Sequence, residues 1–474
     1  MSSYVDLSAV GKRNGLEIWR IKNLSLEPVP RSEYGQFYTG DAYVCLNTAD
    51  QTWNLHVWVG ESATADEVGS AGMAAARIDI ALGGRATQHR EVQKHESSLF
   101  LSYFPYGIRY LKGGYDSAVR AERLPSNLEP RLYHCEGKRN VRCSEVDCKP
   151  ESLNLCDVFI LDLGSEIYIW MPPDSGRLEK IKGMEIAKHM SEDERNNKAH
   201  VNVVDSDWNT NEAFWSHSGG VQNASHIKKT RDVEQQSYYE KPVDRSALYR
   251  VSDASGRLEV TKVAEGEIKQ SQLDSQDAFI LDARGGVYVW LGKGCTPNER
   301  KRALQWGENY IKQKNLPQWT QVTCIREGDE TPSFTRWFPD WTQASQAREL
   351  YTPRLYQVYD RPPDRLIVEE ISNYTQESLD GDDVMILDAY DQIYIWIGAC
   401  ASQQEREGAA VIAKRYLEQE APRRRINPNV LPIVYQGMEP EAFKAKFKKW
   451  DDNLFRGNAR SVEGVKKRLF EKVL

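Results

Sequence analysis

The sequence predicts an α+β protein made of four tandem copies of one domain. The chain has 474 residues, which is too long for one ordinary hydrophobic core and suggests about three or four domains. Internal similarity at a fixed period is the signature of a repeated unit. Four segments share an aspartate followed by an apolar run, and each precedes a second apolar run that contains Trp and ends in Gly or Pro: GDAYVCL with LHVWVG, CDVFILD with IYIWMP, QDAFILD with VYVWLG, and DDVMILD with IYIWIG.

The spacing within these four copies argues against chance. The aspartate recurs after 116, 120 and 106 residues, which is the size of a domain rather than of a solenoid repeat. It precedes the Trp by 13 residues in three copies and by 17 in the first, which has a longer turn. An acidic residue follows the Trp by nine positions in every copy: Trp58 to Glu67, Trp170 to Glu179, Trp290 to Glu299 and Trp396 to Glu405.

Each copy has the pattern of two strands followed by a long helix. The two apolar runs are rich in β-branched and aromatic residues and are separated by turn residues, which predicts adjacent buried strands. Apolar residues at helical spacing follow in segments such as 298–314 and 403–420. The recurring Glu therefore falls in the first turn of a helix, where an acid is favourable. We expect this helix to pack on one face of the sheet.

Polar segments at 116–130, 219–246 and 342–353 predict the boundaries between the copies. The middle segment is long and poor in apolar residues, so we expect a flexible linker there. The predicted units are four repeats and an amphipathic C-terminal tail: 11–118, 131–218, 247–342, 354–456 and 457–474.

Composition excludes several classes of protein. The formal net charge is −7 and the basic residues are dispersed, which argues against a nucleic-acid binder. No apolar run approaches the twenty residues that span a bilayer. The N-terminus lacks the layout of a signal peptide, so we expect a cytoplasmic protein. Eight cysteines without a Cys-x-x-Cys pair indicate reduced thiols.

An enzyme is disfavoured by the motifs. The chain has no G-x-S-x-G, P-loop or H-E-x-x-H motif, and its histidines show no ligand spacing. A catalytic role for Cys135, Cys143 or Cys148 stays open, although buried structural thiols are commoner.

The recurring Asp and Glu predict a metal site in each repeat. Carboxylates are hard oxygen donors suited to calcium. An Asp that opens a buried strand and a Glu on the first turn of the next helix can meet at one end of the sheet. The carbonyl of the residue before the Asp can add an oxygen: Gly40, Cys156, Gln276 or Asp382. The alternative is that the Asp ends a strand and the Glu caps a helix; the fourfold register favours the metal site.

The helix of the first copy, at 64–83, differs from the others because Ala, Gly, Met and Ile dominate more than one face. We expect one face to cover the sheet and the region around Met73, Ala76 and Ile80 to be exposed. Such a face is typical of docking into a partner's groove. Packing against a neighbouring repeat explains the pattern about equally well.

The sequence resembles the gelsolin/villin family of actin-filament severing and capping proteins over about residues 11–456. The four repeats are similar to the first, second, third and sixth gelsolin domains. The segments that carry the resemblance are LEIWRIKNLSLEPVP and DEVGSAGMAAARID, NLCDVFILDLGSEIYIW, DAFILDARGGVYVWLGKG with EGDETPSFTRWF, and LDGDDVMILDAYDQIYIWIG with QGMEPEAFKAKFKKWDD. The resemblance implies that each domain is a central mixed β-sheet sandwiched between a long and a short helix.

The resemblance also implies calcium ligands. The repeat-type sites would use Gly40, Asp41, Glu67 and the carbonyl of Tyr115; Cys156, Asp157 and Glu179; Gln276, Asp277 and Glu299; and Asp382, Asp383 and Glu405. A second calcium, shared with actin, would use Asp79 and the carbonyls of Gly84 and Ala86.

Actin and lipid contacts follow from the same resemblance. The 64–83 helix, with Met73, Ala76 and Ile80, would enter the actin cleft. The filament-side residues would be Arg177, Lys180, Lys182, Arg195 and Lys198. Weak phosphoinositide binding would use Arg109, Lys112, Arg131, Lys138 and Arg139. The tail would form a helix that latches the calcium-free molecule shut, or an ordinary packed or frayed terminal helix.

The resulting hypothesis is a cytoplasmic, monomeric, calcium-activated protein that severs actin filaments and caps their barbed ends. The alternatives are a calcium-dependent capper or bundler that does not sever, and a phosphoinositide or membrane scaffolding module.

Overall fold

The computed structural model describes residues 7–50, 52–115, 130–228, 246–252, 259–283, 286–338, 340–341, 353–361, 365–424, 427, 430–455 and 461–470. Two of the predicted boundaries, at 116–130 and 342–353, therefore lie almost wholly outside the described residues. None of the helices in the described parts of the chain has the length and apolar character needed to cross a membrane.

The first two repeats alternate strands with one long and one short helix. Repeat 1 contains β1 Gly15–Lys22, β2 Ser25–Pro28, β3 Gln36–Tyr38, β4 Ala42–Ala49, β5 Thr52–Val59, α1 Ala65–Ala81, β6 Thr87–Val92, α2 Ser98–Leu101 and β7 Ile108–Leu111. Repeat 2 contains β8 Arg131–Glu136, β9 Arg142–Val146, β10 Val158–Asp162, β11 Glu166–Trp170, α3 Arg177–His189, β12 His200–Val204 and α4 Glu212–Ser216.

Repeats 3 and 4 follow the same order. Repeat 3 contains β13 Ala247–Ser252, β14 Glu259–Glu265, β15 Ala278–Ala283, β16 Gly286–Leu291, α5 Pro297–Gln313, β17 Val322–Arg326 and α6 Pro332–Thr335. Repeat 4 contains β18 Arg354–Arg361, β19 Arg365–Ile371, β20 Val384–Asp388, β21 Ile393–Ile397, α7 Gln403–Arg424, β22 Ile433–Tyr435 and α8 Glu441–Lys444, and the tail forms α9 Val462–Phe470.

The repeats share sheets rather than standing apart. Antiparallel pairing of β17 with β6 joins repeats 3 and 1 into one ten-stranded sheet, in the order β14-β13-β15-β16-β17-β6-β5-β4-β1-β2. Strands β7 and β3 of repeat 1 extend the sheet of repeat 2, in the order β12-β11-β10-β8-β9-β7-β3. Repeat 4 has its own five-stranded sheet, β19-β18-β20-β21-β22. Each predicted pair of apolar runs forms neighbouring antiparallel strands.

Both faces of each sheet are covered, which confirms the predicted α+β sandwich. Apolar residues of the long helices α1, α3, α5 and α7 form the core on one face. The short helices α2, α4, α6 and α8 contribute to separate cores on the other face. The strand that follows the Asp pairs antiparallel with the strand that leads into the long helix. The long helix, with the Glu in its first turn, therefore begins at the end of the sheet that holds the Asp.

The recurring Gly has a steric cause. Gly60, Gly292 and Gly398 each donate a backbone hydrogen bond to the carbonyl of the repeat's aspartate. A Cβ at Gly398 would lie 2.4 Å from the carbonyl oxygen of Gly381. Repeat 2 has Pro172 at this position, which lacks the N–H group.

The structure corrects part of the linker prediction. Residues 229–245 of the predicted linker lie outside the described residues, but its beginning is folded. Val221–His226 form a 3-10 helix, and Ala224 and Ile227 are buried in the core of repeat 2. These few apolar side chains were too sparse in the sequence to signal a packed segment.

Substitution of Gly398 by Ala should loosen repeat 4. The new Cβ meets a backbone oxygen that cannot move away alone, so we expect a cost of about 1–3 kcal/mol. Hydrogen exchange of the β20 and β21 amides should accelerate, while exchange in repeat 1 stays unchanged. The control is Gly69→Ala in α1, where the new Cβ meets no atom within 4 Å beyond the adjacent residues and the backbone of its own helix. Equal exchange in both variants would contradict this interpretation.

Candidate functional site

The recurring aspartate lies just before the first core strand of each repeat. Asp41, Asp157, Asp277 and Asp383 directly precede β4, β10, β15 and β20. Asp157 and Asp383 are fully buried, and Asp41 is nearly so. Burying a carboxylate costs free energy unless hydrogen bonds or a cation compensate it. The partners of these aspartates therefore decide what the site can do.

The recurring glutamate caps the long helix in all four repeats. Its Oε2 accepts a hydrogen bond from the backbone N–H of Thr64, Gly176, Thr296 or Ser402, at 2.9, 3.0, 2.6 and 2.8 Å. This is the glutamate half of a capping box, which satisfies a donor that the helix leaves unpaired. The capping role considered as the alternative to a metal ligand is therefore present, and the predicted calcium role stays a prediction.

Each aspartate has a different set of partners. Asp41 accepts a hydrogen bond from the backbone N–H of Tyr115 at 3.0 Å, where the family resemblance implied a carbonyl. Asp157 contacts His134 Nε2 at 2.8 Å and accepts a bond from Asn154. The guanidinium of Arg250 lies 2.7 Å from Asp277. In repeat 4, Lys138 Nζ and Gln357 Nε2 each lie 2.6 Å from Asp383.

The donor chemistry of these sites fits calcium. Among the described residues, no three or more His, Cys, Asp and Glu side chains lie close enough together to hold a metal ion. Two carboxylates would therefore need backbone carbonyls, which are common calcium ligands. In repeat 3 the Asp and the Glu both act on one thiol: burial, with the nearby Glu299 and Asp277 carboxylates, raises the pKa of Cys295 to about 11.

Repeat 2 fills the candidate calcium site of repeat 4 with cations. Lys138 Nζ contacts Asp383 Oδ1, and Arg177 forms ion pairs with Asp380 and Asp382. Burial raises the pKa of Asp383 to about 7, and the neighbouring Lys138 ammonium opposes that rise. The predicted ligand carboxylate of Asp383, and the side chain of Asp382, whose carbonyl was the predicted ligand, are thus neutralised by residues of another repeat.

The same interface continues along the β8–β9 loop. Arg139 donates to the carbonyl of Glu377 at 3.0 Å, and Asn140 donates to Glu369 at 2.8 Å. Lys138 and Arg139 were predicted to bind phosphoinositides and Arg177 to bind filaments. All three engage repeat 4 in this structure.

Repeat 3 covers the second candidate calcium site, in repeat 1. Asp79 is buried and accepts hydrogen bonds from Ala86 N at 3.0 Å and Gln88 Nε2 at 3.1 Å. Arg326 of repeat 3 donates to the carbonyls of Gly83 and Gly84 at 3.2 and 3.4 Å. The structure brings the predicted ligands Asp79 and Gly84 together, but the Arg326 guanidinium occupies the Gly84 carbonyl oxygen that was predicted to bind calcium.

The apolar face of α1 is only partly exposed. Met73 and Ile80 are 65% and 49% exposed, as predicted from the sequence. Ala76 is only 5% exposed, so that part of the prediction is wrong. The physical reason is that α1 contacts both the sheet beneath it and the long helix α5 of repeat 3.

The remaining predicted cations do not form one cluster. Lys182 pairs with Glu185 on its own helix, and Arg195 pairs with Asp162. Lys180 is half-buried and Lys198 is exposed. Arg109 is buried against Glu194, which removes it from the surface, whereas Lys112 pairs with Asp147 in solvent and Arg131 is half-buried.

The tail helix α9 packs on α3 of repeat 2. Val465 is buried in the core of that repeat, and Val462, Leu469 and Phe470 pack against it. Lys188 Nζ lies 5.8 Å from the centre of the Phe470 ring. The predicted tail range also includes 457–460 and 471–474, which lie outside the described residues.

Sequence reasoning missed the partners that come from other repeats. Arg326, Asn140 and Asp380 were not predicted as site residues. The acidic run at 380–383 and the basic pair at 138–139 were visible in the sequence. Nothing in a linear sequence indicated that these runs face each other, since Lys138 and Asp383 are 245 residues apart.

Comparison with known proteins gives the class of the chain. The family model described as "Gelsolin repeat" matches residues 23–101, 139–215, 259–335 and 365–444. Gelsolin-like protein 1 of Caenorhabditis elegans is 49% identical over 470 residues, which is 98% of each chain. The chain is thus a tandem array of four gelsolin repeats, and it belongs to the gelsolin family.

Other relatives cover less of the chain. Actin depolymerising venom protein gelsolin 1 of Platymeris rhadamanthus is 37% identical over 71% of this chain and 91% of its own. Gelsolin of Gallus gallus is 38% identical over 74% of this chain, which spans only 45% of that protein. A solved Thorarchaeota 2DGel3/rabbit actin complex matches 43% of this chain and 98% of its own, at 24% identity and a TM-score of 0.18, which is too low to support an argument.

Loss of the Arg177 ion pairs should loosen repeat 2 from repeat 4. Arg177→Met leaves the buried Asp380 without its cation, at a cost of about 1–3 kcal/mol. Small-angle scattering without calcium should show a larger radius of gyration than for the wild type. Lys182→Met is the matched control, because Lys182 lies on the same helix but pairs within it. An equal radius for the two variants would contradict the assigned clamp.

Proposed function

We propose that this protein is a cytoplasmic, calcium-activated actin regulator that severs filaments and caps their barbed ends as a monomer. Membership of the gelsolin family and the name of the actin depolymerising venom relative support actin as the partner. The observation that carries the calcium dependence is the filling of the repeat 4 site by Lys138 and Arg177 of repeat 2. The structure corresponds to the closed, inactive form in this proposal.

The switch is a competition for one carboxylate. Bound calcium supplies the positive charge that Lys138 supplies in the closed form. Lys138 Nζ lies 2.6 Å from Asp383 Oδ1, so the lysine and a calcium ion cannot both bind that oxygen. A ligand shifts a conformational equilibrium only by its differential affinity for the two states. Calcium at repeat 4 therefore favours the form in which repeat 2 has left.

Release of repeat 2 uncovers the proposed filament-side surface. Arg177 would leave Asp380 and Asp382, and the α3 face under the tail helix α9 would lose its cover. In repeat 1, departure of repeat 3 would withdraw Arg326 from the carbonyls of Gly83 and Gly84. It would also uncover the side of α1 that now contacts α5, next to the exposed Met73 and Ile80.

Two substitutions should move the calcium requirement in opposite directions. Lys138→Met weakens the closed form without touching a proposed ligand, so severing should begin at about tenfold less calcium. Glu405→Gln removes a proposed ligand charge but keeps an oxygen for the helix cap, so severing should need about tenfold more calcium. Single-filament microscopy of labelled actin across a calcium series measures both midpoints.

The control is Lys182→Met, which should keep the wild-type midpoint because Lys182 pairs within α3. Unchanged midpoints in both test variants would show that the repeat 4 site is not the switch. Filaments that stop growing without breaking would reduce the protein to a capper.

A further inference from the structure

The four repeats differ in the residue that faces the site aspartate from the neighbouring strand. The register of the paired strands identifies this position in each repeat. It lies opposite the residue two places after the aspartate: Arg20 opposite Tyr43, His134 opposite Phe159, Arg250 opposite Phe279, and Gln357 opposite Met385. The same place in the fold thus carries two arginines, a histidine and a glutamine.

In repeat 3 this residue puts a permanent cation on the aspartate. The guanidinium of Arg250 lies 2.7 Å from Asp277 Oδ2. In repeat 4 the corresponding Gln357 only donates a neutral hydrogen bond, at 2.6 Å, to Asp383 Oδ2. The cation of repeat 4, Lys138, comes from another repeat and can leave with it. Arg250 lies on the strand next to its own aspartate and stays there when the repeats separate.

An arginine at this position does not always pair with the site aspartate, as Arg20 of repeat 1 shows. Its neighbour on the other side, in β2, is Glu27, and the two side chains pair at 2.9 Å. The Arg20 guanidinium also lies 3.3 Å from the centre of the Tyr115 ring. The corresponding neighbour of Arg250, in β14, is Thr261. Threonine carries no charge, and among the described residues the carboxylate that pairs with Arg250 is that of Asp277.

We propose that Arg250 keeps calcium out of the repeat 3 site. Whether an arginine at this position blocks the site depends on the residue opposite it on the outer strand. Thr261 in repeat 3 leaves the arginine on the aspartate, whereas Glu27 in repeat 1 draws it away. This inference rests on the proposed calcium role of the repeat sites. A unit positive charge in contact with the ligand oxygen opposes a divalent cation at the same oxygen. In this proposal, the residue at this one position of the sheet, together with its neighbour across the strand, determines whether each repeat binds calcium.

The test counts calcium ions bound to the full chain by equilibrium dialysis with radioactive calcium, at a concentration that saturates the wild type. Two variants should each gain one calcium ion. Arg250→Gln copies repeat 4, and Thr261→Glu copies repeat 1 and leaves Arg250 in place. Adding Asp277→Asn to either variant should remove the gained ion. In the wild-type background, Asp277→Asn should change nothing, whereas Asp383→Asn should remove one ion.

The reverse substitution tests the same position in repeat 4. Gln357→Arg alone copies repeat 1, because Glu369 lies opposite it on β19, so it should change the calcium affinity of that site little. Gln357→Arg combined with Glu369→Ala copies repeat 3 and should lower that affinity about tenfold.

Failure of the inference about Arg250 and failure of the proposed calcium-dependent function would give different results. Loss of an ion on Asp277→Asn alone, or no gain in both Arg250→Gln and Thr261→Glu while Asp383→Asn still removes one, would overturn this inference and leave the proposed function intact. Absence of bound calcium in the wild type and all variants would overturn the calcium part of the proposed function.

Discussion

The arrangement of the four repeats depends on how buried aspartates are neutralised. Each repeat begins its central strand with an aspartate at the end of the sheet where the long helix starts. A carboxylate withdrawn from water needs a cation or several hydrogen bonds. Repeat 4 draws its cations from repeat 2, through Lys138 and Arg177. This requirement ties two repeats together that share no sheet, through the Lys138 and Arg177 ion pairs.

The shared sheets act alongside these charges. Pairing of β17 with β6 makes repeats 1 and 3 one continuous sheet, and the two long helices α1 and α5 lie in contact above it. Arg90 of β6 pairs with Glu308 of α5 across the same junction. Repeat 3 thereby covers part of α1 while leaving Met73 and Ile80 in solvent. Polar and backbone contacts of this kind can exchange for others at small net cost, which is compatible with the proposed opening of this interface.

Local features of the fold were predictable from the sequence because they depend on nearby residues. The two strands, the helix that follows them and the glutamate in its first turn all repeat with fixed spacing, and the structure has them in every copy. The tail predicted to be amphipathic forms α9, which packs Val462, Val465 and Leu469 against repeat 2.

Contacts between repeats were not predictable in the same way. Ala76 is buried on a helix that contacts both its own sheet and a helix of repeat 3, and no local pattern carries the second of these contacts. Residues 221–227 contain few apolar side chains, so the sequence did not predict that this segment is folded. The pairing of Lys138 with Asp383 joins residues 245 positions apart, so it depends on the final arrangement of all four repeats. Runs of like charge in the sequence suggest that ion pairs form, but only the three-dimensional fold determines which charged residues pair.

The central claim is that calcium and repeat 2 compete for the same carboxylate in repeat 4. Hydrogen exchange of the amides at 137–141, in the loop that carries Lys138, tests it most directly in the full chain without actin. The account predicts slow exchange in a calcium chelator and faster exchange as calcium fills the repeat 4 site, with the same midpoint as calcium binding. Unchanged exchange in this loop while calcium binds at repeat 4 would contradict it.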